Sequence, residues 1–402
     1  MGRQNPGLFY TLLNLRNMQL FHPLRTFALA SLLILSQYVK AEPIEDSVMV
    51  DFGYAVDSLI YNGYAKEFNK LFDKEAFFDR IIIEDEGNEK MGAFNMIFKL
   101  GFSSGFKLGE EIVASTEAGG IYTFISYFEE GDGLYNLVFS LFNGEGLNYH
   151  LLEVNYNDGN PVIEDIYIVI TDEYLSETIG DLYFNALYEE GLVDYTDGSA
   201  TGTSKDIDLC LKAKKEIKKE NYEEALEILD EVSEEFRENK IYETLLITAA
   251  AKLDEDTYQK VLESTQIENP GLGHKYLMKI DQYFMSNEFG KGLANLDSLD
   301  DVVGDDPILD YYRGSYYLEL KQMETAEIYF QKVQDYYPFS SLGYVGVLVA
   351  RVERNEFDSA TEQVRLMIEL FSYTEEEIEA TLEDYPKYLK SKPYKKLRKE
   401  LF

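Results

Sequence analysis

A block of residues recurs at intervals of 34 in the second half of the chain. At its centre is a small residue, first Gly292, then Ala326 and Ala360. A large apolar residue follows each of them four positions later, and an earlier copy of the block surrounds Ala225. Two helices cross closely only where a small residue leaves room, while large neighbours fill the space beside it. The spacing therefore predicts helix pairs that stack into a repeat array.

One unit, residues 307–340, carries the fullest set of repeat residues. They are Gly314, Tyr317, Ala326, Phe330 and Pro338. In type and spacing these residues resemble the signature of the tetratricopeptide family. The unit departs from that signature in its first helix, where Asp310 and Arg313 stand in place of the family's Trp and Leu. The resemblance implies an all-α solenoid whose first helices form a concave groove for a peptide or a partner helix.

The same spacing divides the second half into five predicted units and a cap. The units are residues 206–239, 240–272, 273–306, 307–340 and 341–374. The second is degenerate, because Tyr258 and Leu262 survive there without a well-placed small residue. Residues 375–402 are predicted to form capping helices, since the last repeat would otherwise expose an apolar face. Their basic residues, interleaved with Tyr394 and Leu397, predict a final helix with a basic face. The alternative is a tail that binds a membrane surface.

The N-terminal half, residues 42–190, is predicted to be a separate α+β domain. Helical spacing covers most of residues 42–118, and from residue 121 the period of the apolar pattern changes to two. The candidate helices are residues 49–65, 67–78, 106–115 and 175–190, and the candidate strands are 122–129, 134–142, 147–155 and 162–171. Short turns rich in Gly, Asn and Asp join the strands, as antiparallel hairpins require.

Helices followed by a meander of long strands resemble the NTF2-like fold. The run Ile163-Glu164-Asp165-Ile166-Tyr167 is similar to the late central strand of that family. A cystatin-like sheet would leave nearly the same pattern. Residues 191–205 have the composition of a linker. We therefore expect a multidomain protein, with an α+β domain followed by an all-α solenoid.

The first 41 residues have the three-part order of a secretory signal peptide. Arg25 precedes an apolar run at residues 27–36, and Val39-Lys40-Ala41 has the small-residue pattern of a cleavage site. The apolar run is too short to cross a bilayer, and Met18 is a candidate true start. We expect an exported, soluble protein of a bacterial periplasm or the extracellular space, with no transmembrane segment in the mature chain.

Charge and side-chain inventory disfavour several classes of function. The formal net charge of -37 repels phosphate backbones, so nucleic-acid binding is not expected. The single cysteine, Cys210, leaves no disulfide framework or two-cysteine metal site and is predicted to be a buried thiol.

His150 is predicted to be half-buried with its polar atoms satisfied, and His274 to lie at the surface. Neither belongs to a catalytic arrangement. Phosphate-loop, dinucleotide, zinc-protease and EF-hand motifs are lacking, so we expect no enzyme activity, cofactor or metal.

The repeats instead predict a scaffold that binds an unidentified protein or peptide partner. Counting from Gly314 gives candidate groove residues on the first helices of three units. They are Leu277, Asp281, Phe284, Ile308, Tyr311, Ser315, Leu318, Glu319, Val345 and Val349. Packing of these residues against a neighbouring unit, or against the N-terminal domain, is the structural alternative.

A different class of function is also open. The N-terminal domain would then be an NTF2-like module that binds a small ligand or performs weak acid/base chemistry, recruited to partners by the repeats. Strand neighbours face opposite sides, so only one of Glu164 and Asp165 would enter its cavity. A deep cavity with convergent polar groups would favour this function.

Overall fold

The structure is a computed structural model that describes residues 46–401, with gaps at 85–87, 132, 145, 158–159, 193–203, 235, 239, 255–256, 259 and 262–272. The predicted signal peptide, most of the predicted linker and part of the degenerate second unit lie outside the described residues. Within the described ranges, no helix is both long and apolar enough to cross a bilayer.

Five helices precede the sheet. They are α1 (Asp46–Tyr61), α2 (Ala65–Asn69), α3 (Lys74–Asp79), α4 (Glu89–Gly105) and α5 (Leu108–Glu117). The prediction of one helix over residues 67–78 is wrong, because Leu71–Asp73 pairs with a strand instead. The amide of Ile163 donates to the carbonyl of Leu71, and the amide of Asp73 donates to the carbonyl of Ile163, both at 2.8 Å. The Asp73 side chain then accepts from two amides of the first turn of α3.

The sheet is an antiparallel meander in sequence order. Its strands are β1 (Ile121–Gly131), β2 (Leu134–Asn143), β3 (Gly146–Asn157), β4 (Asn160–Ile168) and β5 (Glu173–Tyr174). The four predicted strands are confirmed, and the short β5 was not predicted. Helix α6 (Leu175–Glu189) follows it directly, close to the helix predicted there.

The second half is helical throughout its described residues. Its helices are α7 (Ser204–Lys218), α8 (Tyr222–Asp230), α9 (Lys240–Leu253), α10 (His274–Leu277), α11 (Lys279–Met285), α12 (Phe289–Val303), α13 (Leu309–Glu319), α14 (Met323–Tyr336), α15 (Leu342–Glu353), α16 (Phe357–Phe371), α17 (Glu375–Thr381), α18 (Pro386–Leu389) and α19 (Lys392–Leu401). A short 3-10 turn at Phe236–Glu238 lies between α8 and α9. The α+β sheet region followed by a helical array is the predicted fold class.

The turns within helix pairs repeat the register of the sequence. Asn287, Lys321 and Asn355 each have a positive φ between the two helices of a pair, and they lie 34 residues apart. Glu220 has the same conformation between α7 and α8. The left-handed residue lets the chain reverse within a few residues, so the paired helices pack side by side.

Small residues lie where the helices cross most closely, as predicted. A Cβ on Gly292 would lie 2.5 Å from the ring of Tyr316, and one on Gly314 would lie 2.7 Å from the ring of Phe330. Ala326 and Ala360 are fully buried. Substitution of either glycine would therefore have to displace a buried ring or the helix that carries it.

An ion-pair cluster occupies the position where the unit departs from the family signature. Arg313 binds Asp310 at 3.0 Å, and it also binds Asp297 at 3.1 Å and Asp300 at 2.7 Å on α12. This cluster joins two neighbouring units through charge-assisted hydrogen bonds.

The array ends in helices α17 to α19. Tyr388, Tyr394 and Leu397 are buried, while the lysines of α19 are exposed. The predicted final helix with a basic face is confirmed. Its buried residues belong to the same apolar core as the rest of the array.

The sheet lies between two helical layers. One face packs on α1, α2 and α5, with Phe139, Leu152 and Val154 in a core that includes Val56 and Ile60. We call this the helix face. The opposite face, which we call the array face, presents Phe142, Tyr149 and Leu151 to the core of the repeat array. Both faces are apolar because both are covered.

Candidate functional site

The structure buries most of the residues that the sequence placed in a groove. Seven of the ten are buried: Leu277, Ile308, Tyr311, Ser315, Leu318, Val345 and Val349. The other three, Asp281, Phe284 and Glu319, are partly buried. Seven of the ten therefore present almost no surface to a partner in this arrangement.

The array face of the sheet covers part of that predicted groove. The ring of Phe142 lies 5.7 Å from the ring of Tyr311 and 6.1 Å from that of Tyr312, edge to face in both cases. Phe284, from the preceding unit, packs against Phe289 and Tyr316. These candidate groove residues thus pack on the N-terminal domain or on a neighbouring unit, which was the structural alternative to a groove.

Hydrogen bonds, one of them fully buried, join the sheet to the array. The hydroxyl of Tyr149 donates to the Asp306 carboxyl at 2.8 Å, and the hydroxyl of Ser126 donates to the carbonyl of Val303 at 2.6 Å. Burial, with Asp300 nearby, raises the pKa of Asp306 to about 7, although hydrogen bonds from Ile308 and Tyr149 oppose the rise. The junction therefore contains an acid that titrates near neutral pH.

His274 belongs to the same junction. The prediction that it lies at the surface is wrong, because it is buried with its Nδ1 2.8 Å from the carbonyl oxygen of Val169. The sequence carried no sign that the turn after β4 packs against this histidine.

Four exposed aromatic side chains surround the junction. They are Tyr54, Tyr61, Tyr336 and Phe339, and they are between 44% and 59% exposed. We call this group the junction patch. The rings of Tyr61 and Phe339 lie 5.8 Å apart, so the patch continues from α1 to the segment that follows α14. Burial, with Tyr54, Asp306 and Asp57 nearby, raises the pKa of Tyr336.

An acidic cleft of about 350 Å³ adjoins the junction patch at Tyr336. Its lining includes Asp300, Asp305 and Asp310, while Arg313 and Lys332 are its basic residues. Both basic groups pair with carboxylates of the cleft, Lys332 with Asp310 at 3.4 Å. Carboxylates exceed cations, so the cleft adds negative charge beside an aromatic surface.

Other candidate groups have structural partners. Cys210 is buried, as predicted, and burial raises the pKa of its thiol to about 12.

Glu164 and Asp165 do not point to opposite faces of the strand as its alternation predicted, since Arg80 binds both carboxylates, at 3.0 and 3.4 Å. Arg80 also pairs with Glu153, beside an irregularity in the pairing of β3 and β4. Among the described residues, no group of three or more His, Cys, Asp or Glu side chains is arranged for a metal.

His150 is buried on the helix face, and it lines a cavity of about 560 Å³. The prediction that its polar atoms are satisfied is wrong for Nδ1, which has no hydrogen-bond partner among the described residues. Sequence reasoning identified His150 but gave no signal of the cavity, which arises from packing between α5 and the sheet. It also missed the junction patch, which no motif or spacing in the sequence indicates, although the chain has 32 tyrosines.

No protein-family model matches the chain, and no curated protein matches it either. Among solved structures, the chain is similar to the TPR2AB domain of yeast Sti1 in a complex with pHSP90. The alignment covers 56% of this chain and 92% of that chain, with 14% identity and a TM-score of 0.26. At this level of similarity the fold assignment rests on the helices and the register described above. The NTF2-like and cystatin-like resemblances of the sheet region stay predictions.

Proposed function

We propose that this protein is an exported, non-enzymatic scaffold that binds a partner protein at the junction patch. The observation that carries the proposal is the exposure of four neighbouring aromatic side chains, Tyr54, Tyr61, Tyr336 and Phe339. Exposed aromatic residues supply large contact area at little cost in conformational entropy, and they are enriched where partner proteins bind. Export is supported by the apolar run at residues 27–36 and the small-residue pattern at 39–41.

The chemistry beside the patch indicates the kind of partner. The acidic cleft begins at Tyr336, and its Asp305 is exposed. A partner segment with a Lys or Arg beside apolar residues would bind the aromatic rings and place its cation in the cleft. Tyrosine faces also attract such cations. The partner is therefore expected to be basic at its contact site, opposite in charge to this chain.

This proposal places binding at a different surface from the predicted groove. The groove residues keep a role in the proposal as the core that holds the sheet against the array. The junction patch depends on that arrangement, because Tyr54 and Tyr61 belong to α1 whereas Tyr336 and Phe339 belong to the array region. The two parts of the chain together would then form the binding surface.

The test compares two double variants of the mature protein as bait in native envelope extracts. Tyr336→Ala with Phe339→Ala removes half of the junction patch. Leu366→Ala with Leu370→Ala removes two exposed apolar residues from α16 as a matched control. We expect partner recovery, quantified by mass spectrometry, to fall about tenfold for the patch variant and to stay unchanged for the control. Recovery should also weaken with salt. Equal recovery by a folded patch variant would exclude this surface.

A further inference from the structure

The cavity beside His150 lies between α5 and the helix face of the sheet. Leu108 and Ile112 line it from α5, Leu141 and Ile168 from the sheet, and Leu175 from the start of α6. Its volume of about 560 Å³ is in the range of small-molecule sites. The wall is therefore mainly aliphatic, and most of it is formed by helices and strands.

One polar side chain stands deep in this aliphatic wall. His150 is only 6% exposed, and its Nδ1 has no hydrogen-bond partner among the described residues. Burial lowers the pKa of His150 to about 4, so the imidazole is neutral at neutral pH. A buried polar atom without a partner costs free energy, and such an atom in a native structure calls for an explanation.

The neighbours of His150 determine what kind of group it can recognise. Its ring lies 5.7 Å from the ring of Tyr122, and its cross-strand partners are Phe139 and Ile168. The other polar side chains of the lining are Glu111, which is exposed, and Ser115 and Asn143, which bond each other: the Asn143 side chain donates to the Ser115 hydroxyl at 3.0 Å. A charged ligand group placed against His150 would thus have to lose its hydration beside a neutral ring and apolar side chains.

We propose that this cavity binds an uncharged, mainly apolar small molecule that carries one hydroxyl or carbonyl group, and that His150 forms the hydrogen bond to that group. A neutral imidazole has one donor and one acceptor, so it can serve either kind of group. The aliphatic wall provides the affinity, and the single polar contact orients the molecule. This site is independent of the junction patch, which lies at the boundary between α1 and the array.

The test uses naphthol and naphthalene, which differ by one hydroxyl, as probes with the full-length chain. Their fluorescence can be followed without interference from tryptophan, which the chain lacks. We expect both probes to bind the wild-type protein. His150→Phe should weaken naphthol binding about fivefold and leave naphthalene binding nearly unchanged, since it removes one hydrogen bond and keeps an aromatic ring.

Two further measurements keep the outcome interpretable. Ala118→Phe, at an exposed residue of the cavity lining, should abolish binding of both probes while leaving the fold intact and adding no tryptophan. In the wild-type protein, the imidazole nitrogen resonances of His150 should shift with naphthol and not with naphthalene. The proposal is overturned if neither probe binds the wild-type protein, or if His150→Phe weakens both probes equally.

Discussion

The two faces of the sheet are both buried, but they are built differently. The array face is joined to its neighbour by hydrogen bonds, among them Tyr149 to Asp306 and Ser126 to Val303. The helix face also has hydrogen bonds, such as that from Thr123 to Asp57 on α1, but it leaves a cavity lined by His150, whose Nδ1 has no hydrogen-bond partner among the described residues. A hydrogen bond between distant elements specifies one arrangement, whereas a buried polar atom beside a cavity can bind a ligand. The array face therefore fixes how the sheet packs on the array, while the helix face holds the cavity for which we propose a ligand.

The largest expected effect is on the array face. Tyr149→Ala removes a fully buried ring and the hydrogen bond to Asp306, so the free energy of unfolding should fall by about 4 kcal/mol. Tyr149→Phe keeps the ring and should cost about 1 to 2 kcal/mol. Urea unfolding followed by far-ultraviolet circular dichroism measures both.

That experiment also tests whether the sheet and the array are one cooperative unit. Because they share a core, the helical signal of the array should shift with the Tyr149 variants in a single transition. An array that keeps its wild-type midpoint in Tyr149→Ala would show that the two regions unfold separately. The comparison between the faces would then lose its basis.

The next effect is the pH dependence of the array face. The usual pKa of an aspartate is 3.8, and in the folded protein burial raises that of Asp306 to about 7. A raised folded pKa gives stability that is full below about pH 4 and is lost as the pH rises to about 7. Asp306→Asn lacks this dependence. Between these pH values the wild type should therefore lose up to about 4 kcal/mol relative to the variant.

The helix face should show the opposite sign. Burial lowers the pKa of His150 from 6.5 to about 4, so its contribution to stability is full above about pH 6.5 and is lost as the pH falls to about 4. His150→Phe removes that loss, which is up to about 3 kcal/mol. The unfolding free energies of Asp306→Asn and His150→Phe are to be measured across this window. Relative to the wild type, Asp306→Asn should gain stability as the pH rises, and His150→Phe should gain stability as the pH falls. Slopes of the same sign would contradict the contrast between the faces.

The sequence predicted the array better than the junction, and the reason is the range of the contacts. Gly292, Ala326 and Ala360 report helix crossings between neighbouring segments, so a fixed spacing reveals them. The contact between Tyr149 and Asp306 joins residues 157 positions apart, and no local pattern encodes it. For the same reason the groove residues were read as a surface, although the sheet and other helices bury most of them.

The candidate sites also depend on contacts between residues that are far apart in the sequence. His150 was visible as one of few histidines, but the cavity beside it depends on how α5 packs on the sheet. The break between α2 and α3 was missed because the pairing of Phe72 with Ile163 overrides the local helical pattern. Periodicity therefore predicted the elements, while the sites arise where distant elements meet.

The smallest expected effect compares two hydroxyls of β1 that bind different layers. Ser126 donates to the carbonyl of Val303 in the array, and Thr123 donates to the carboxyl of Asp57 on α1 at 2.9 Å. Ser126→Ala should cost about 1 kcal/mol, the net value of a neutral hydrogen bond.

Thr123→Val is the matched control for the other layer. It should cost somewhat more, about 1.5 kcal/mol, because hydrogen bonds to carboxylates are stronger. The amide of Phe124 still donates to Asp57 at 3.0 Å, which limits the loss. In the Ser126 variant no second donor among the described residues replaces the lost hydroxyl. Its acceptor, however, is a main-chain carbonyl, which is less costly to leave unpaired than a buried carboxylate. If Ser126→Ala proves the more costly of the two in urea unfolding, the strand is held mainly by the array.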